Sequence, residues 1–147
     1  MRPEIKTINV ELTRTIPTAP LEAFQGWLDP QCPGTPWIVA EKLILDTKVD
    51  GLYYWLFINE AGEHKPHYGR FTIIDPPTKI QYTWMSHHTR GLESLVTVTF
   101  QKQGEDTLMT LRHENLPDDE QGRGHEKGWG HLMNQFADRF SSNRDQS

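Results

Sequence analysis

The chain has 147 residues, 35% hydrophobic and 24% charged, a balance that fits one globular domain with its own core and excludes a disordered or membrane-embedded chain. A net charge of −5, a pI of about 5.8 and the lack of any Lys/Arg run exclude the basic patch of a nucleic-acid binder. The single cysteine, Cys32, excludes an internal disulfide, and no segment approaches the ~18–20 apolar residues that cross a bilayer. From Arg2 to Leu12 charged and apolar residues alternate, without the unbroken apolar stretch of a signal peptide, so a cytoplasmic location is expected.

Ile8, Val10 and Leu12 alternate with polar neighbours, which predicts a half-buried strand over Ile5–Ile16. Pro17 and Pro20 end it, because proline cannot donate to a sheet ladder. Leu21, Phe24, Trp27 and Leu28 follow at helical spacing, with Pro20 tolerated in the first turn. A Pro/Gly-rich loop occupies Asp29–Pro36. Strands are then predicted at Ile38–Thr47, Leu52–Asn59, His67–Ile74, Lys79–Ser86, Ser94–Lys102 and Thr107–Glu114. Short turn signals such as Asp50-Gly51, Ala61-Gly62 and Arg90-Gly91 separate them, and these connections favour an antiparallel meander. The last element is a helix capped by Asp118, with Gln121 completing a capping box. Trp129, Leu132, Met133, Phe136 and Phe140 form one apolar stripe along it. Gly122, Gly124, Gly128 and Gly130 each cost helix stability, so residues 117–128 are expected to form a looser first turn. Residues 142–147 are polar and expected to fray. The pattern is α+β in a single domain over residues 1–147, with the long terminal helix covering the apolar face of the sheet.

Several segments, in order and at consistent spacing, resemble a known family. They include Thr13-Arg14-Thr15-Ile16-Pro17, Ala23-Phe24 with Trp27 and Asp29-Pro30, and Gly69-Arg70-Phe71 leading to Ile74-Asp75-Pro76-Pro77. Ile80-Gln81-Tyr82-Thr83-Trp84, His113-Glu114-Asn115-Leu116-Pro117 and Gly128-Trp129 complete the pattern. The chain is similar to the SRPBCC (START-like) helix-grip superfamily, and within it to homologues of the activator of heat-shock-protein-90 ATPase. It departs at Asp50, where the family often has a second glycine. The resemblance implies a curved antiparallel sheet gripping the C-terminal helix. It carries fold further than function, since fold-mates differ in activity.

The resemblance aligns the inner strand faces toward that helix. A cavity is then expected, walled by Tyr53, Trp55, Phe57, Phe71, Tyr82, Trp84, Val98, Met109, Leu111 and His113 from the sheet and by Trp129, Met133 and Phe136 from the helix. The opposing expectation is a core packed solid with the same side chains. Tyr and Trp tips would orient a ligand. His113 shares strand parity with Met109 and Leu111, so it should face inward, where a histidine can act as acid, base or donor. Its other reading is a structural tie between sheet and helix. His67 is a second rim residue. Arg70 reads as a solvated arginine on the outer face.

Seven histidines raise a metal site, which their spacing does not support. His64 and His67 sit in a hairpin, His87 and His88 are adjacent, and four residues after His125 stands Trp129 where a zinc-protease helix needs a second histidine. No phosphate loop or Gly-rich fingerprint is present, so no cofactor is expected, and Cys32 has no activating neighbour. Three functions remain. The first is binding of an apolar or amphipathic small molecule. The second is a cyclase- or hydrolase-like enzyme using His113 and Tyr82 in acid/base work. The third is a chaperone-interacting module. An edge strand also leaves a homodimer open.

Overall fold

In a computed structural model, which describes residues 5–145, seven strands form one antiparallel sheet in the order β1-β7-β6-β5-β4-β3-β2. The strands are β1 (Thr7–Ile16), β2 (Lys42–Leu45), β3 (Leu52–Ile58), β4 (His64–Asp75), β5 (Lys79–Ser86), β6 (Ser94–Gln103) and β7 (Asp106–Pro117). Helix α1 (Pro20–Trp27) follows β1, a 3-10 turn spans His87–Thr89, and α2 (Glu120–Asp145) closes the chain. The meander from β2 to β7 follows from the short hairpin turns. β1 joins by pairing with β7, so β1 and β2 are the two edges. Among the described residues no helix is long and apolar enough to cross a membrane. The expected fraying of 142–147 falls on the end of α2 and on residues outside those described.

Period-two alternation does what it should in the central strands. On β6, Ser94, Val96, Val98 and Phe100 are buried, and on β7, Thr107, Met109, Leu111 and His113 are buried. The register brings Val98 opposite Leu111 and Val96 opposite both Tyr82 and His113. Against this face α2 lays Trp129, Met133, Phe136 and Phe140. Fully burying each large apolar side chain stabilises by roughly 1.5–3 kcal/mol.

The strand expected at Ile38–Thr47 is shorter, Lys42–Leu45. Trp37 explains the difference. Its ring is buried and its indole N–H donates to the Trp27 carbonyl at 2.8 Å, which pins the chain against α1. The backbone turns there, with Ala40 N–H bonded to Trp37 O, and Ile38 and Val39 stay exposed. Asp50, at the departure from the family pattern, has φ of 67°, so it adopts the left-handed conformation a glycine would take, and its carboxylate pairs with Arg70.

Helix α2 also starts differently. The cap is Asp119, not Asp118: its carboxylate accepts from Gly122 N–H at 2.8 Å. Asp118 pairs instead with Arg123 at 2.8 Å. With glycine three residues after the cap there is no capping box. The looser turn expected over 117–128 is a continuous helix from Glu120 onward. One of its glycines is required by close approach and a second is tightly placed. A Cβ on Gly122 would collide with the Pro117 carbonyl, and one on Gly130 would lie 3.3 Å from the Arg14 and Leu12 side chains. Gly124 and Gly128 have nothing within 4 Å of an added Cβ.

A buried polar chain ties α2 to the sheet. Trp129 Nε1–H donates to His113 Nδ1 at 3.0 Å. Ser94 Oγ–H donates to the Trp84 carbonyl at 2.6 Å, so its oxygen accepts from His113 Nε2–H at 2.7 Å. Helix, β7, β6 and β5 are thereby linked through one neutral imidazole with both nitrogens occupied. Burial holds His113 well below the ordinary histidine range, and nearby His125 acts in the same direction.

Two outcomes follow from this geometry. Gly122→Ala should cost about 1–3 kcal/mol in denaturant unfolding, whereas Gly124→Ala should gain about 0.5–1 kcal/mol. The second concerns pH. In the unfolded chain His113 takes a proton below roughly pH 6.5, and in the fold it does not, so the unfolded state binds more protons as pH falls. Stability is whole above that pH and declines below it. His113→Gln should lower the thermal midpoint at neutral pH and give a shallower acid slope, read by thermal unfolding across pH.

Candidate functional site

The inner aromatic face does not enclose one uniform cavity. Its deep part is solid. Trp37 packs on Tyr53 with ring centres 5.3 Å apart, Phe71 on Tyr82 at 5.6 Å, and Trp27 on Phe136 at 5.2 Å. Polar tips are used up there: Tyr53 Oη–H donates to the Thr83 carbonyl at 2.6 Å, and Trp27 Nε1–H donates to Tyr82 Oη at 3.3 Å. Burial raises both tyrosine hydroxyls far above neutrality. Tyr53, Phe71, Tyr82, Val98, Met109, Leu111, Met133 and Phe136 are therefore packed core, and none of them lines the open space. His113 is packed with them.

The open space lies at one end, between the start of α2 and β3 to β5. It is a solvent-open cleft of about 620 Å³, within the usual range for small-molecule sites. Of the residues expected from the sequence, Trp55, Phe57, Trp84, Trp129 and the rim residue His67 line it. Phe57 stands at its mouth, 38% exposed. Residues that the sequence reading did not assign to it also line the wall: Pro36 and Val39 on either side of Trp37, Asn59 and Lys65 from the β3–β4 hairpin, His88 from the 3-10 turn, and His125, Gly128, His131 and Leu132 from α2. A shallower recess of about 270 Å³ adjoins it, sharing Trp84, His67, His88, His125 and Gly128 and adding Gly124. The histidines of α2 were read only against a zinc motif, yet a period of three to four residues puts His125, Gly128, Trp129 and Leu132 on one face.

Aromatic contacts hold the wall. The His67 ring stacks on Trp55 at 3.8 Å and 4°, and sits 5.1 Å from Trp84. Trp84 meets Trp129 at 5.0 Å, and His125 meets His113 at 5.1 Å. Trp129 is fixed by its bond to His113.

The polar inventory of the cleft is specific. His67 Nδ1 bonds to the Lys65 carbonyl at 3.0 Å. A carbonyl only accepts, so Nδ1 carries the proton and Nε2 keeps its lone pair. His125 does the same through the Gln121 carbonyl at 2.9 Å. Burial pushes His67 down to about 4, with His88 and His125 adding to the effect and the Lys65 bond opposing it. Burial likewise lowers His125, opposed by its bonds to the Gln121 and Gly122 carbonyls. Both rings are neutral at physiological pH. Trp55 Nε1, Trp84 Nε1 and His88 Nδ1 are sealed in the wall without a hydrogen-bond partner, the three such side-chain atoms among the described residues. Each orphan of this kind costs about 1–3 kcal/mol.

The cleft lining contains no carboxylate, hydroxyl or thiol. Among the described residues no group of three or more His, Cys, Asp or Glu is placed to hold a metal ion. Cys32 is buried away from the cleft, and burial raises its thiol.

Comparison with known proteins now adds the family. The profile described as "Activator of Hsp90 ATPase homolog 1-like protein" matches residues 17–141. No curated protein matches the chain. Among solved structures, protein CV1439 from Chromobacterium violaceum is 22% identical, with a TM-score of 0.75 over 90% of this chain and 96% of that one. Protein Mll3558 from Rhizobium loti is 20% identical, with a TM-score of 0.73 over 92% and 99%. CalU16 from Micromonospora echinospora is 15% identical, with a TM-score of 0.67 over 95% and 80%. At these identities the likeness is one of fold, the SRPBCC-type helix grip expected from the sequence. With the profile matching most of its length, the chain belongs to the family of activator of Hsp90 ATPase homolog 1-like proteins.

Proposed function

We propose that the protein binds an apolar or amphipathic small molecule in the cleft between the start of α2 and strands β3 to β5. The observation that carries this reading is the pair Gly124 and Gly128. Both lie inside a continuous helix, where each costs about 1 kcal/mol relative to alanine. An added Cβ at either would meet nothing within 4 Å. No contact inside the protein asks for them, and both border open space beside the cleft aromatics. The helix gives up stability and gains room, which is useful to a ligand and useless to a packed core.

Turnover is supported less well. His113 has both nitrogens engaged, Tyr82 is buried away from the cleft, and the lining lacks a hydroxyl, thiol or carboxylate. A protein-interaction role would use a different surface. Ile44, Leu52 and Tyr68 are exposed on the other face of β2 to β4 around a shallow groove, and a chaperone or a second copy would dock there.

Native mass spectrometry of freshly purified protein should show a discrete added mass that is lost on denaturation. Gly128→Leu provides the controlled comparison. It should unfold at or above the temperature of the parent chain while weakening the neutral fluorescent probe N-phenyl-1-naphthylamine by roughly tenfold or more, a change of about 1.4 kcal/mol. Unchanged probe affinity in a stable Gly128→Leu protein would place binding elsewhere.

A further inference from the structure

The cleft's polar atoms define what its ligand must carry. Beside Asn59 and Lys65, the cleft offers two imidazole nitrogens with free lone pairs, His67 Nε2 and His125 Nε2, since the hydrogen bonds of both rings run through Nδ1. Neither nitrogen is sealed from the cleft, and His67 is held in place as a buried residue, 7% exposed. Its neighbours keep it an acceptor: the Lys65 carbonyl on β4 takes its one proton, the ring is stacked on Trp55 of β3, and Trp84 of β5 and His88 of the 3-10 turn close the other sides. His125 is constrained in the same way by its own helix, with His113 of β7 beside it and Asp119 one and a half turns back. Flat aromatic surfaces from Trp55, Phe57, Trp84 and Trp129 form much of the remaining wall, with Asn59, Lys65 and His131 also lining it.

We infer that the ligand of this cleft is a ring compound bearing a hydroxyl group, docked by donating its O–H to His67 Nε2 or His125 Nε2. The inference rests on the binding role proposed above and narrows it. A hydroxyl suits the site because it donates to a lone pair and still has lone pairs of its own for the Lys65 ammonium or the Asn59 amide, which also line the cleft. A carboxylate fits poorly. It only accepts, and it would face bare nitrogen lone pairs in rings that burial keeps uncharged. Lys65 also lines the cleft, and its charge there is partly countered by Glu63, 3.9 Å away.

Three probes of similar size separate the possibilities by calorimetry or tryptophan fluorescence at neutral pH: 2-naphthol, 2-methoxynaphthalene and 2-naphthoate. The expected order is naphthol first, by about 3- to 10-fold over the methoxy compound, the net worth of one hydrogen bond, with naphthoate weakest. In the double variant His67→Phe/His125→Ala, which keeps an aromatic ring against Trp55, the ratio of naphthol to methoxynaphthalene affinity should fall to about one. Equal binding of naphthol and methoxynaphthalene, a preference that survives the double variant, or naphthoate as the tightest of the three would each overturn the hydroxyl assignment and leave the cleft-binding role standing. Failure of all three probes to bind would overturn both. If the double variant does not fold, the single variants decide: loss of the naphthol preference in either His67→Phe or His125→Ala supports the inference, and a preference unchanged in both overturns it.

Discussion

One imidazole fixes the relation of helix to sheet. His113 accepts from Trp129 on α2 and donates to Ser94 on β6, whose hydroxyl in turn bonds the backbone of β5. Apolar packing alone would allow α2 to slide or rotate along the inner face at modest cost, since hydrophobic contact is not directional. The hydrogen-bonded chain is directional, and it lies where water cannot compete. It sets the rotation of α2 at Trp129, and that rotation decides which neighbours of Trp129 face the cleft: His125 and Gly128 on one side, Leu132 on the other. A residue that looked catalytic by parity and burial is thus the joint on which the site is mounted.

The rest of the inner face explains why the cleft has the size it has. Trp27, Trp37, Tyr53, Phe71 and Tyr82 fill the far end through edge-to-face and tilted contacts, and the two tryptophans and two tyrosines spend their polar tips on one another or on backbone carbonyls. Such pairs are worth about 0.5–1.5 kcal/mol beyond their buried area. At the cleft end the pattern stops: the indoles of Trp55 and Trp84 find no acceptor, and two histidines keep unused lone pairs. Satisfied and unsatisfied polar groups therefore sort by position along the same strands, two residues apart on β3 and on β5.

That two-residue spacing also marks where reading the sequence runs out. Alternation told which residues of β5, β6 and β7 face inward, and the apolar stripe of α2 told which helix face meets them. Alternation has no way of saying how far along a strand the packing stays solid. Tyr53 and Trp55 have the same parity, as do Tyr82 and Trp84, yet one of each pair is core and the other is wall. The Ile38–Thr47 segment misled for a related reason: Ile38 and Val39 look like strand residues, and the ring of Trp37 docking on α1 overrides that local preference. The glycines of α2 carried a true signal with an incomplete reading. Their cost to the helix was legible, whereas the compensating cap at Asp119 and the open space beside Gly124 and Gly128 depend on neighbours distant in sequence. Tautomers lie further still from the sequence, because they are set by the carbonyls of Lys65 and Gln121.

Gly124 and Gly128 have a consequence for descent as well as for binding. In most proteins, altering a pocket means altering side chains that also support the core, so selectivity and folding are inherited together. Here two positions on a capped helix have open space where an added Cβ would go. Lineages sharing this scaffold could resize the cleft by single substitutions at these sites, and the first such changes would also strengthen the helix. A chain built this way can change the shape of its cleft while its interior stays nearly constant.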